Sequence, residues 1–95
     1  MTKSIIQNEK KCIVCGRTTT LECHHCFPGN PNRKLSEKYG LKVWLCKEHH
    51  TGNTGVHSNA QLRWVIQRKA QREFERQIGD RNMFMAVFGK SYLED

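Results

Sequence analysis

The residues best suited to chemistry in this chain are cysteines and histidines at the spacing of metal-binding knuckles. Two residues separate Cys12 from Cys15, and two residues also separate Cys46 from His49. Such a pair can bind one tetrahedral zinc ion, because a tight turn brings both donor atoms to one side. Four protein ligands leave no open position on the ion, so the two pairs together predict a closed, structural zinc site.

A second arrangement of the cysteines is open at this stage. Cys23 and Cys26 form another knuckle, so they could complete a compact four-cysteine site with Cys12 and Cys15. The arrangement with Cys46 and His49 is favoured because Cys23 and Cys26 flank a histidine pair. A structural ion bound by both of these cysteines would restrict the histidine pair to the loop around that ion. The other interpretation of Cys23 and Cys26 is that they are small buried apolar residues, as free cysteines commonly are.

Four further histidines are concentrated near these knuckles: His24, His25, His50 and His57. Adjacent residues on a strand point to opposite faces, so His24 and His25 are expected to have different roles. One can bind a metal while its neighbour addresses a separate group. A neutral imidazole is a common metal ligand, and it can also accept a proton near neutral pH.

Size and charge narrow the class of protein. The 95 residues form one domain, and a core of that size is usually supplemented by a disulfide or a structural metal. Sixteen basic against nine acidic residues give a net charge of +7, which favours a polyanionic partner such as nucleic acid. The odd cysteine count and the lack of a secretory or membrane segment predict a reducing, cytoplasmic setting with no membrane partner.

Short elements are expected to position these side chains. Alternating and turn-forming residues predict strands over 20–23 and 41–45, with loops over 27–40 and 51–55. A short helix is predicted over 46–50. The histidine pair would then lie at the end of the first strand, and the second knuckle would begin the short helix.

The clearest element is a helix over 60–78, which Ser58 or Asn59 can cap and Gly79 can end. Its predicted core stripe, widened by Val65, follows i+4 steps. The stripe consists of Leu62, Ile66, Ala70, Phe74 and Ile78. A last short helix is predicted to be capped by Asp80 and to end near Gly89.

Basic side chains on the long helix and in the loop after the histidine pair are candidates for contact with nucleic acid phosphates. They are Arg33, Lys34, Arg68, Arg72 and Arg76, with Arg63 and Lys69 nearby. The alternative interpretation is a solvated helix face that Glu73 and Glu75 partly neutralise.

The order of these motifs resembles the HNH endonucleases. The pattern is Cys-x2-Cys, His-His at the end of a strand, a loop, Leu-Cys-x2-His-His and a later histidine. Segments similar to Gly40-Leu41 and Gly55-Val56-His57 are found in the small phage- and prophage-encoded HNH proteins. The resemblance implies an α+β fold class, a small zinc-stabilised ββα-metal finger followed by a basic C-terminal helix. It divides the chain into an irregular arm over 1–11, the finger over 12–59 and packing helices over 60–95.

The resemblance also implies roles for the histidines. His24 matches the first metal ligand, His25 the general base, His50 the ligand that opens the finger's helix and His57 the last ligand. The implied activity is hydrolysis of DNA phosphodiester bonds, by nicking or double-strand cleavage. It would use one divalent ion (Mn, Mg, Ni or Zn) in addition to the structural zinc. Phage packaging or recombination proteins are further partners that the family suggests.

One position departs from the family pattern. The middle asparagine, which braces the loop holding the base, would fall at Leu41. Asn30, Asn32 or Asn59 could supply the brace, or the loop could be held otherwise. The alternative function is a non-catalytic, zinc-stabilised nucleic-acid-binding module in which the remaining histidines are incidental. One ion per chain would favour that module, and two would favour the nuclease.

Overall fold

The computed structural model describes residues 3–93 and has the expected α+β architecture. Its elements, in chain order, are β1 (Leu21–His25), α1 (Asn32–Tyr39), β2 (Lys42–Cys46), α2 (Lys47–His50), α3 (Ala60–Gln77) and α4 (Arg81–Phe88). Both predicted strands are present, each shifted slightly toward the C-terminus. The predicted short helix and the long helix are also confirmed.

The two strands pair antiparallel in a register that separates the histidine pair. His24 lies opposite Val43, and His25 lies opposite Lys42. Residues directly opposite one another share a face of the sheet, and successive residues alternate between faces. His24 therefore points to one face of the sheet, and His25 points to the other at the last position of β1.

The prediction of a loop over 27–40 is wrong, because this segment contains α1. Its turn-forming residues lie at the ends of the helix. Pro31 precedes the first turn, and Gly40 ends the helix in the left-handed conformation with φ of 73°. Inside the helix, the buried Ser36 hydroxyl donates to the Asn32 carbonyl at 2.9 Å. The proline and glycine residues that suggested a loop thus mark the ends of a two-turn helix.

The two C-terminal helices begin and end at the predicted residues. Asn59 caps α3 by accepting hydrogen bonds from the backbone amides of Gln61 and Leu62, both at 3.1 Å. Asp80 caps α4 by accepting from the Met83 amide at 2.9 Å. Gly89 ends α4 with φ of 91°. Side-chain oxygens at these positions satisfy amides that have no partner within the helix.

The buried face of α3 is rotated relative to the predicted stripe. Its apolar part consists of Ile66, Ala70 and Phe74, as expected. Val65 is 54% exposed and Ile78 is 36% exposed, so their assignment to the core is wrong. Gln71 is fully buried instead, and its amide bonds to the Ser91 hydroxyl and the Tyr92 backbone. The C-terminal tail packs on this side of α3, which a helical periodicity cannot reveal.

Aromatic rings form the centre of the core. Phe27 packs against Phe84, Phe88 and Tyr92 with ring centroids 4.8 to 5.4 Å apart. Phe74 of α3 joins the same group, at 5.2 Å from Phe84. The cluster joins the segment after β1 to both C-terminal helices.

The N-terminal arm is irregular but anchored on the sheet. The Ser4 hydroxyl donates to the Lys42 carbonyl at 2.6 Å, and the Gln7 side chain accepts from the Trp44 amide at 2.7 Å. Ile5 and Ile6 pack against the core. Within residues 3–93, no helix combines the length and apolar character that crossing a membrane requires.

Candidate metal centres

The first knuckle meets the second in a group of four donors that could hold a metal ion. The donor atoms of Cys12, Cys15, Cys46 and His49 all lie within 4.8 Å of one another. A turn closed by the Gly16 amide on the Cys12 carbonyl, at 2.8 Å, presents the first pair. Cys46 is the last residue of β2 and His49 lies in α2, so the junction of strand and helix presents the second pair. We call these four residues the cysteine group.

The spacing of the cysteine group fits a tetrahedral zinc ion. Ligand atoms about 2.3 Å from zinc lie roughly 3.7 Å apart in a regular tetrahedron. The Cys12 Sγ to His49 Nδ1 and Cys15 Sγ to Cys46 Sγ distances are both 3.8 Å, and the Cys46 Sγ to His49 Nδ1 distance is 3.2 Å. The donor set is therefore compatible with a structural zinc.

The surroundings of the Cys12 thiol favour its ionised form, which is the form that binds zinc. Burial opposes ionisation, but hydrogen bonds from the backbone of Cys46, Cys15 and Val14 outweigh it and lower the pKa of Cys12 to about 6. A thiolate is the form of cysteine that binds metal. The same backbone amides that shape the knuckle thus favour the ligating form.

The alternative four-cysteine arrangement is not formed, since neither Cys23 nor Cys26 belongs to a group of donors, among residues 3–93, that could hold a metal ion. Cys26 is fully buried, and burial raises the pKa of its thiol above the usual value. Burial also raises the pKa of Cys23. Both thiols are held in the neutral form, which matches their interpretation as small core residues.

Three histidines form a second group of donors, which we call the histidine group. One ring nitrogen from each of His24, His50 and His57 lies within 4.8 Å of the others. The Nε2 atoms of His50 and His57 are 3.2 Å apart. The His24 ring centroid lies 5.4 Å from that of His50 and 5.7 Å from that of His57. The three predicted metal ligands are thus brought together.

His24 has the environment of a ligand that lacks its partner. It is buried, and its Nε2 atom has no hydrogen-bond partner among the described residues. Burial, followed by the positive potential of His50 and His57, lowers the pKa of His24 to about 4. The ring is therefore neutral near pH 7. Buried polar atoms are almost always paired, so an unpaired imidazole nitrogen beside two other imidazoles fits a metal ion.

The other two ligands are held by their surroundings. Glu22 Oε1 lies 2.6 Å from His50 Nδ1, which leaves His50 Nε2 directed at the group. Carboxylates bonded to the far nitrogen of a histidine are the usual support of a ligating imidazole. His57 follows Gly55, where an added Cβ would approach the His49 and His50 backbone within 2.8 Å. Glycine at this position lets the 51–57 loop return closely along α2.

His25 lies apart from the histidine group, on the other face of the sheet. Its Nε2 is 2.9 Å from Glu37 Oε1, and the Lys42 ammonium donates to the second oxygen of Glu37 at 2.8 Å. An ionised carboxylate only accepts hydrogen bonds, so Nε2 carries the proton of a neutral His25 ring. The Nδ1 atom is then the one that can accept a proton.

Glu37 is the functional residue that the sequence did not reveal. Leu41, at the position of the family's asparagine, is fully buried in the core, and Asn59 is engaged in capping α3. The support of His25 therefore comes from a carboxylate in α1. A signal existed, since Glu37 is the one acidic residue in the basic segment 33–38, but it required α1 to be recognised as a helix.

The predicted phosphate contacts are not gathered around the histidines. Arg33 and Lys34 are exposed on α1, and Arg72 is exposed on α3. Arg76 pairs with Glu73 at 2.7 Å, and Arg68 lies over the Trp64 ring, 4.6 Å from its centroid. Arg63 lies close to the histidine group, where it donates to the Val56 carbonyl at 3.0 Å and lowers the pKa of His24.

No protein-family model matches the chain, and no match was found among curated proteins or solved structures. The functional interpretation therefore depends on the two groups of donors and on the motif resemblance.

Proposed function

We propose that this protein is a metal-dependent endonuclease of the HNH type that hydrolyses DNA phosphodiester bonds. The observation that carries the proposal is the histidine group, in which the buried His24 Nε2 lacks a partner and converges with His50 and His57. The next residue along β1, His25, is held by a carboxylate in the tautomer of a proton acceptor. The net charge of +7 suits a DNA substrate.

The histidine group would hold one divalent ion, and that ion would offset the negative charge developing on the scissile phosphate and its leaving oxygen. Three imidazoles leave coordination positions free for phosphate and water. Of the candidate ions, all-nitrogen ligation suits Ni or Zn better than Mg. His57 is exposed, so the open side of the group faces solvent and is accessible to a nucleic acid backbone.

His25 would act as the general base from the last position of β1, where the strand ends and its ring points to the face opposite that of His24. Its Nδ1 atom takes a proton from the attacking water, while Nε2 continues to donate to Glu37. The carboxylate then stabilises the imidazolium that forms. Lys42, buried and paired with the same carboxylate at 2.8 Å, holds Glu37 in place.

The cysteine group would serve as the scaffold for this chemistry. α2 has only four residues, which is too short to be stable on its own. A zinc ion bound by Cys46 and His49 would fix both ends of the strand-to-helix junction. His50 follows His49 directly, so the same ion would fix the position of a ligand in the histidine group.

The test is cleavage of supercoiled plasmid by the His25→Ala variant in the presence of Mn. We expect cleavage to fall about a hundredfold or more, which is the usual contribution of a general base. The metal content should stay unchanged, because His25 is not a ligand, and the loss of its bond to Glu37 should lower the free energy of unfolding by only about 1 kcal/mol. Glu48→Gln is a matched control. Glu48 is an exposed carboxylate next to His49 in the chain, and it bonds to Thr54 instead of to a histidine.

Unchanged cleavage by His25→Ala would refute the assigned base. A wild-type protein that binds DNA and one ion per chain, but does not cleave with Mn, Mg, Ni or Zn, would refute the nuclease. That result would favour the non-catalytic binding module.

A further inference from the structure

A second surface of the molecule combines one exposed aromatic ring, that of Trp64, and the partly buried ring of Tyr92 with cations. Trp64 of α3 is 43% exposed and Met85 of α4 is 42% exposed, although both are large apolar residues. Together with Gln67, Lys90 and Tyr92 they line a cavity of about 440 Å³. We call Trp64, Arg68, Lys90 and Tyr92 the aromatic–basic surface.

Each ring of this surface has its own cation. The Arg68 guanidinium lies 4.6 Å from the Trp64 ring centroid, and the Lys90 ammonium lies 4.7 Å from that of Tyr92. The first pair is on α3, and the second lies in the tail after α4. Among residues 3–93, no acidic residue lines the cavity. Trp64 from the first pair and both members of the second pair therefore line one cavity.

A further observation concerns Arg68 itself. Its Nε atom is buried and has no hydrogen-bond partner among residues 3–93. A phosphate oxygen cannot reach this buried atom, so only the partly exposed remainder of the Arg68 side chain is available to a nucleic acid phosphate.

We propose that the aromatic–basic surface binds a single-stranded segment of DNA. Rings on which bases stack, together with cations that follow the phosphate backbone, are the combination that recognises single strands. Bases in a duplex are already stacked on one another, so the rings would select unpaired nucleotides. The cavity volume lies within the range that small organic groups occupy in protein sites.

The position of the surface gives it a role in substrate choice. Arg63, the neighbour of Trp64, donates to the Val56 carbonyl beside His57. The first turns of α3 thus run from the histidine group toward the aromatic–basic surface. The inference rests on the proposed function for this role, and it predicts preference for DNA with an unpaired strand next to the cleaved bond.

The experiment measures binding to a single-stranded oligothymidylate and to a duplex of the same length. All variants carry His25→Ala to prevent cleavage, and Trp44→Phe so that Trp64 is the single tryptophan. We expect the single strand, and not the duplex, to quench Trp64 fluorescence. Trp64→Ala should weaken single-strand binding about tenfold or more, which is the usual effect of losing one stacking ring.

Three further variants sharpen the test. Trp64→Phe retains a ring and should restore most of the affinity. Lys90→Gln, in an exposed position, should reduce the salt dependence of single-strand binding by about one phosphate contact. Val65→Ala is the matched control, because Val65 is the exposed neighbour of Trp64 and does not line the cavity.

Unquenched fluorescence, or equal losses for single strand and duplex, would overturn the inference. The fluorescence measurement needs no substitution at Trp64, so it decides the question even if Trp64→Ala fails to fold. Plasmid cleavage without selective single-strand binding would remove this inference and leave the nuclease. Selective binding of the single strand, without cleavage in the presence of any of the metals, would remove the nuclease and leave this inference.

Discussion

The cysteine group and the histidine group share one short helix, and they differ in the number and the chemical type of their donors. The cysteine group has four donors, and two of its thiols, those of Cys12 and Cys46, are nearly inaccessible to solvent. The histidine group has three donors and an exposed member, His57. Four protein donors close a tetrahedral ion, whereas three leave room for a substrate.

On the proposed function, a small chain would divide stability and chemistry between two sites. His49 and His50 are consecutive in α2 and belong to different groups. A zinc ion that fixed His49 would also fix His50 without using its imidazole, so the histidine group would not have to organise α2 by itself.

The largest expected effect separates the two groups by stability. Cys46→Ser should lose the zinc and the cooperative thermal unfolding transition, because a structural zinc contributes roughly 10 kcal/mol to folding and such domains are only marginally stable. Zinc content and circular dichroism measure both losses. Cys26→Ser is the control, since this buried thiol lies outside the group. Loss of a zinc equivalent from Cys26→Ser would contradict the assignment.

A second effect compares the two carboxylates that support histidines. Glu37→Gln should lower cleavage at saturating Mn roughly tenfold to hundredfold, since it weakens the support of His25. Glu22→Gln should instead raise the Mn concentration at which cleavage is half-maximal, by a similar factor, because Glu22 bonds to the ligand His50. A titration of cleavage against Mn separates the two parameters. If both variants changed the same parameter, the separation of base from ligands would fail.

A third effect is the pH dependence that His24 gives to stability. The pKa of His24 is about 4 in the folded chain, against its usual 6.5, so the unfolded chain binds more protons between these values. The contribution of the neutral His24 ring to the free energy of unfolding is fully present above pH 6.5 and is lost as the pH falls toward 4. For zinc-loaded protein without a second ion, the free energy of unfolding should fall by about 2 kcal/mol from pH 7 to pH 5.

Urea unfolding at the two pH values measures this change. In His24→Gln the decrease should be smaller, because the buried titrating group is gone. An equal decrease in both proteins would show that the histidine group does not carry the pH dependence.

The smallest effect concerns the basic row of α3. Arg72 is exposed and has no ion pair within residues 3–93, whereas Arg76 is paired with Glu73. Arg72→Ala should therefore reduce the salt slope of DNA binding by about one, and Arg76→Ala by less. Binding measured over a range of salt concentrations tests this order. Equal slopes for wild type and Arg72→Ala would remove Arg72 from the DNA contact.

Much of this arrangement could be predicted because it depends on local spacing. The knuckles brought Cys12, Cys15, Cys46 and His49 together as expected, and the caps at Asn59 and Asp80 marked the helix starts. Ligand spacing and helix capping are set by residues a few positions apart, so a sequence displays them directly.

The remaining features depend on tertiary contacts. Glu37 reaches His25 only because α1 occupies the segment predicted as a loop. Gln71 replaces Val65 on the buried face of α3 because the C-terminal tail offers hydrogen bonds there. Periodicity identifies an apolar face, but it does not show where another segment will satisfy a buried polar group.

The most direct test of the account measures plasmid cleavage as a second metal ion is added back. Mild chelation should leave one zinc per chain, held by the cysteine group, and abolish cleavage. Added Mn should restore cleavage in proportion to a second bound equivalent, and the His24→Ala variant should neither bind that equivalent nor cleave. Full cleavage with one zinc per chain, or a second bound ion without cleavage, would contradict the central claim.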